Sequence, residues 1–257
     1  MTQSRLDGPT PNIEVSKGLM FKDTKTWNPA TGCDHFCPYC WFFNKMLPKL
    51  SHTPKYANGG KPTVHWELVH KGPPNCPEKN IFVVDMGDLF CGGFRTGDII
   101  EVLDSCHKTT LVKSFMLLTK NPARYLEILS RRPDFAMDHR FVFGATIETT
   151  NHRSGIFKEQ LAPNAPDPSY RADAMIELRQ KFQEIRTFLS LEPIMDFDLI
   201  QMRDWVEKIR PERTYVGYDN YHYLSRHVEP ELEKVNRLIH ALQGMTEVIQ
   251  KTIREKR

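Results

Sequence analysis

The 257-residue chain has no apolar run near the ~20 residues that a membrane-spanning helix needs. Its opening residues, MTQSRLDGPTPNIEVSKG, lack the apolar stretch of a secretory signal, so the sequence points to a cytoplasmic protein. There is no internal repeat and no low-complexity tract. Charge of neither sign prevails: 35 basic against 32 acidic residues leave +3, which neither requires nor excludes an anionic partner. The basic run KTIREKR near the end reads as a solvated helix terminus. What is present is ordinary for a globular chain, 40% hydrophobic and 26% charged residues. At this length roughly three-quarters of the surface of the unfolded chain is buried on folding.

The six cysteines are informative by position. Cys76, Cys91 and Cys106 are scattered, whereas Cys33-x3-Cys37-x2-Cys40 gathers three thiols in TWNPATGCDHFCPYCWFF. In a chain with no secretory signal such a cluster points to metal rather than to disulfides. A structural zinc needs four closed positions, and Cys76 or His35 could be the fourth, so zinc stays open. An iron–sulfur cubane usually takes four cysteines; three leave one iron with an open position, as a catalytic metal site requires. Phe36, Tyr39, Trp41, Phe42 and Phe43 would shield such a cluster from water.

Short apolar runs alternate with helical patterns. The expected strands are Thr26–Pro29, Ile81–Met86, Ser114–Thr119, Phe141–Ile147, Thr187–Leu191 and Thr214–Tyr218. The expected helices are Trp41–Lys49, Thr96–Lys108, Pro122–Arg131, Tyr170–Gln183, Leu199–Lys208 and Pro230–Arg254. Strands apolar on both faces and alternating with helices predict an α/β fold with a parallel sheet. Six such units make a partial (β/α)6 TIM-like barrel, with a doubly wound open sheet as the alternative. The organisation read from this is a lead-in over 1–25, a core over 26–225 with an irregular insertion at 51–79, and a C-terminal helix over 226–257. The insertion is longer than most connections in compact domains and thus a candidate functional segment.

Each expected strand ends in polar residues: the cysteine loop, then Asp85-Met86-Gly87-Asp88, Thr119-Lys120, Glu148-Thr149, Glu192-Pro193 and Tyr218-Asp219-Asn220-Tyr221. In parallel barrels the chemistry sits at these C-terminal ends, so all six would converge on one rim.

The Cys-x3-Cys-x2-Cys spacing, with an aromatic before the third cysteine, resembles the signature of the radical S-adenosylmethionine (SAM) superfamily. VVDMGDLF, LLTKNPARY, GATIET and LSLEP, in that order, are similar to a phage-associated radical SAM family of unassigned activity. The chain is more distantly similar to spore photoproduct lyase. The resemblance covers residues 26–220 and implies the radical SAM type of barrel. It also implies a [4Fe–4S] cluster on Cys33, Cys37 and Cys40, with SAM bound by the open iron, and an external electron donor of the flavodoxin or ferredoxin kind. Met86, Gly87 and Asp88 then correspond to a segment that contacts the SAM amino group, although the usual double glycine and glutamate are missing. Lys120 would pair with the SAM carboxylate and Glu148 with the ribose hydroxyls. In bland terms Asp88 caps a turn, Lys120 is a surface residue, and Glu148 pairs with Arg153. Cys91 is a candidate hydrogen donor, and Glu192 a candidate acid/base or substrate-binding group. Tyr218, Asp219, Tyr221 and His222 close the rim; His139, His152 and His227 read as surface histidines. The likeness to the lyase points to a nucleic acid or nucleotide substrate, with small metabolites and peptides open. A zinc-stabilised nucleic-acid binding module and an electron-transfer iron–sulfur protein are the rival readings.

Overall fold

Successive residues of a strand face opposite sides of the sheet, and here both sides are apolar. A computed structural model describes residues 24–151, 160–221 and 228–254. In chain order its strands are β1 (Thr24–Trp27), β2 (Ala30–Thr31), β3 (Thr63–Val64), β4 (Cys76–Val83), β5 (Val112–Thr119), β6 (Phe141–Thr146), β7 (Arg186–Leu191), β8 (Arg213–Val216) and β9 (Glu247–Gln250). Seven of them form one sheet in the order β1-β4-β5-β6-β7-β8-β9, every neighbouring pair parallel. The sheet curls into a half-barrel, so the expected partial TIM-like barrel is the fold.

Helices cover the outer face. Ile99, Val102, Leu103 and Cys106 of Thr96–Lys108 pack on it, as do Tyr125, Ile128 and Leu129 of Ala123–Arg131. Met175 and Leu178 of Pro168–Lys181 continue the layer, followed by Met202 and Val206 of Leu199–Ile209. Each fully buried Leu, Ile or Phe here contributes roughly 1.5–3 kcal/mol of transfer free energy. The inner face carries a smaller apolar cluster. There Met116, Val142, Phe188 and Tyr215 pack with Phe82, Leu118 and Ile249. The C-terminal half of the interior is left for a cavity.

Two expectations need correction. The C-terminal segment is not one helix over Pro230–Arg254: helix Leu232–Leu242 stops at a turn with Gly244 at φ 86°, and Glu247–Gln250 joins the sheet as a seventh strand. Glycine takes that left-handed turn without penalty, and β-branched Val248 and Ile249 then suit a strand better than a helix. The 51–79 insertion is also more regular than expected. It holds β3, paired antiparallel with β2, a helix over Trp66–Lys71, and the first residues of β4, which begins at Cys76 rather than Ile81. Most of the 1–25 lead-in, and Arg153, His152, His222 and His227, lie outside the described residues. Among the described residues no helix is long and apolar enough to cross a membrane.

Candidate active site

The loop after β1 is clipped onto the turn after β4. Gly32 N donates to the Met86 carbonyl at 2.9 Å, and Asn28 Oδ1 accepts from Met86 N at 3.2 Å. Gly32 and Gly87 form a bridge so close that a Cβ on Gly87 would lie 2.3 Å from the Gly32 oxygen. This explains why the turn has glycine at 87 even without a double glycine. Cys33 N donates to the Gly60 carbonyl, so the 51–79 segment props the cysteine loop.

A cavity of about 400 Å3 opens inside the barrel at the strand ends, and Cys33, Cys37 and Cys40 all line it. All three are partly exposed, whereas Cys76, Cys91 and Cys106 are buried. Cys76 stands at the start of β4, a strand length of roughly 23 Å from the turn at its other end, which removes it as a fourth ligand. Among the described residues no three His, Cys, Asp or Glu side chains close on a single ion. The trio nevertheless suits a larger group. Backbone N–H groups are aimed at its sulfurs, from His35 to Cys33 Sγ at 3.4 Å and from Phe42 and Phe43 to Cys40. Such donors stabilise cluster thiolates and tune their potential.

Without metal these thiols keep their protons. A hydrogen bond with Cys91 and burial push Cys33 upward. Burial pushes Cys37 up to about 12 despite Lys120, and raises Cys40 against its backbone donors. Ionising all three at neutral pH therefore needs a nearby cation, which bound metal supplies.

Behind the thiols lies a buried polar framework. Asp88 accepts from His35 Nε2 at 3.0 Å, Thr119 Oγ1 at 3.0 Å and Lys120 N at 2.9 Å, while its other oxygen caps Phe90 N. Burial would raise the Asp88 carboxyl, but these donors, His35 first, hold it below its ordinary value. Asp88 thus does cap the following turn and also ties the cysteine loop to β5. Lys120 lines the cavity with its ammonium on Glu148, over the face of Tyr39.

Glu148 is fully enclosed. Tyr39 and Lys120 donate to one of its oxygens, and Arg171 Nη1 donates to the other at 2.6 Å. Its reach toward the cavity therefore runs through Lys120. Burial alone would raise this carboxyl; Arg171, Lys120 and Tyr39 bring it down to about 2. Gly87 and Asp88 reach the cavity, but the Met86 side chain packs against Phe42 and Tyr56. Cys91 has no exposure and touches Cys33 from below.

On the far wall Glu192 lines the cavity beside Lys251 and Asn220. Burial pushes its carboxyl up to about 7, opposed by Lys251 and helped by Asp219. The folded chain then holds a proton that the unfolded chain has released, so stability falls as pH rises from about 4.5 to about 7. Glu192→Gln is expected to remove this fall, of order 1–3 kcal/mol, seen as a flatter profile of thermal midpoint against pH. Equal slopes in variant and parent would contradict it.

Reasoning from sequence missed Tyr39 as a hydrogen-bond donor, His35 as the partner of Asp88, Arg171, and Lys251. Arg171 carried a signal: it stands at i, i+4, i+7 spacing with Met175 and Leu178, a charge on an apolar stripe.

A family model described as a protein of unknown function (DUF5131) matches residues 20–207. No curated protein matches the chain. Two crystal structures of SuiB from Streptococcus suis, one bound to S-adenosylmethionine, superpose with TM-scores of 0.52 at 13% identity. They cover 90% of this chain, which spans 50% of one SuiB chain and 49% of the other. At this identity the likeness shows the fold alone.

Proposed function

We propose that this chain, which belongs to the family of unknown function DUF5131 by the match over residues 20–207, is a radical SAM enzyme. The observation that carries the reading is the convergence of three thiols, and no fourth cysteine, on one cavity at the C-terminal rim of a parallel half-barrel. Cys33, Cys37 and Cys40 would hold a [4Fe–4S] cluster, and the neighbouring wall would hold SAM. When bound, the cluster and SAM supply reductive cleavage of the sulfonium and abstraction of hydrogen from substrate. That a SuiB chain with the same fold was crystallised with S-adenosylmethionine supports this use of the barrel.

The protein's own residues bind, orient and exclude water. Gly87 and Asp88 line the cavity beside the thiols, Gly87 holding the cysteine loop close through its bridge to Gly32. Lys120 presents an ammonium on the cavity wall to a carboxylate, and Glu148, with Arg171 behind it, fixes where that ammonium points. Tyr39 and Phe42 are buried beside the cysteines, and Trp41 shields the mouth. Electrons come from an external donor of the flavodoxin or ferredoxin kind, in the cytoplasm. From His35 to Trp66 the chain has no acidic residue and four lysines, which suits an acidic donor.

The test is anaerobic reconstitution with iron and sulfide, then reduction with dithionite in the presence of SAM and chromatography of the products. The expected outcome is 5′-deoxyadenosine and methionine; an iron-loaded protein that leaves SAM intact would overturn the reading.

A further inference from the structure

On its β1 side the cavity carries a carboxylate, Asp85, that neither Lys120 nor Arg171 neutralises. Strand alternation would place Asp85 on the outer face with Val83, because Phe82 packs with the inner cluster. The chain breaks that alternation. Val84 takes φ 62°, a left-handed backbone that a β-branched residue rarely adopts, and its side chain joins Val83 in the outer core. Two successive residues thus face outward, and Asp85 turns into the cavity. A bond from Val84 N to the Trp27 carbonyl at 2.9 Å holds the bend. Strain of this kind persists only where its surroundings enforce it, and it gathers at functional positions. Asn28 Nδ2 donates to Asp85 Oδ1 at 2.5 Å. Among the described residues no cation forms an ion pair with Asp85: Lys55 donates to the Asn28 carbonyl at 2.8 Å and divides its field between Glu67 and Asp85. Burial accordingly raises the Asp85 carboxyl above its ordinary value. A half-buried carboxylate without a counter-ion is costly unless a ligand supplies one.

The surroundings restrict that ligand to a cation of one kind. Asn28 already occupies Oδ1, so the two-pronged fork of a guanidinium cannot claim both oxygens. An ammonium, a point charge with three rotatable donors, needs only one. Thr26, two residues before Asn28, adds a hydroxyl to the same wall, and Phe82, its register partner on β4, adds an apolar face for an alkyl chain. The ammonium of SAM shares a carbon with its carboxylate and so belongs beside Lys120, whose backbone N bonds Asp88 at 2.9 Å. Asp85 is tied instead to the loop after β1.

We propose that Asp85, turned inward by the bend at Val84, binds the primary ammonium of an alkylamine substrate on the β1 side of the cavity, where the sheet ends. The inference names a substrate class for the radical SAM reading, and rests on that reading only in assigning the thiols and Lys120 to the cofactor.

The reconstituted protein, with SAM present, is titrated at neutral pH with n-butylamine, its uncharged analogue 1-butanol, and butylguanidine, binding being followed by ligand-observed NMR. The expected result is that the amine binds at millimolar concentration, that the alcohol does not compete, and that the guanidine binds more weakly than the amine. Asp85→Asn, folded by circular dichroism, should weaken the amine about tenfold or more and leave the affinity for SAM within about twofold of the parent. Absence of amine binding, competition by the alcohol, a guanidine that binds as tightly as the amine, or an unchanged amine affinity in Asp85→Asn would each overturn it. So would a parallel loss of SAM affinity in that variant, which would make Asp85 the seat of the cofactor's own ammonium. Formation of 5′-deoxyadenosine in the same preparation reports separately on the radical SAM reading, so the two can fail independently.

Discussion

Cys37→Ala is expected to leave a folded protein that retains no iron–sulfur cluster and makes no 5′-deoxyadenosine. Cys37 is partly exposed on the cavity wall, so its loss opens no core void. It is also the middle ligand of the trio, and two thiolates on one loop leave two corners of a cubane unprotected. Cys76→Ala serves as the reference: its thiol bonds the Pro74 carbonyl at the opposite end of β4 and should not affect iron. Iron and labile-sulfide assays on both variants check the prediction. A Cys37→Ala protein with the parent's iron content would show that the trio is not the ligand set.

Glu148→Ala is expected to be among the most destabilising single substitutions in the chain. It leaves the Arg171 guanidinium, 1% exposed, and the Lys120 ammonium without their shared counter-ion. Breaking such a buried pair from one side costs about 3–5 kcal/mol. Arg171 also holds the Thr146 and Pro166 carbonyls at 3.0 and 2.6 Å, so its displacement would loosen the end of β6 and the entry to the following helix. The double variant Glu148→Ala/Arg171→Leu removes both charges and should recover part of the loss, measured by urea unfolding. The pH dependence has a defined sign. Because the Glu148 carboxyl sits at about 2, below its ordinary 4.5, its stabilising contribution is complete above about pH 4.5 and lost as pH falls through about 2. A Glu148→Ala protein as stable as the parent would mean that the framework is not a closed buried network.

The fold was legible because its signals were local. IFVV, FMLL and FVFGAT are apolar on both faces, as only strands covered on both sides are, and the helices between them carry apolar stripes. The thiol trio was legible for a similar reason: its spacing lies within eight residues. The ninth strand was not, because an apolar period of 3.6 running through VNRLIHAL carried the helix reading past Gly244 into EVIQ. Lys251 was lost with it. Arg171 and Glu148 meet across 23 positions, and nothing local announces that a glutamate after one strand and an arginine in the next helix share a buried pair. Glu148 was therefore read as reaching a ligand directly, whereas both of its oxygens are taken by protein donors. Asp88 was the intermediate case. Its capping of Phe90 N could be read from sequence, but its hold on His35, 53 residues away, could not.

The central claim is that three thiols on one cavity wall hold an iron–sulfur cluster with a corner left for SAM. Metal and sulfide analysis of protein purified without oxygen, with electron paramagnetic resonance of the reduced sample before and after SAM, tests it directly. The account predicts about four irons and four labile sulfides per chain and a spectrum that changes when SAM is added. Zinc without sulfide, or a cluster whose spectrum SAM leaves unaltered, would contradict it.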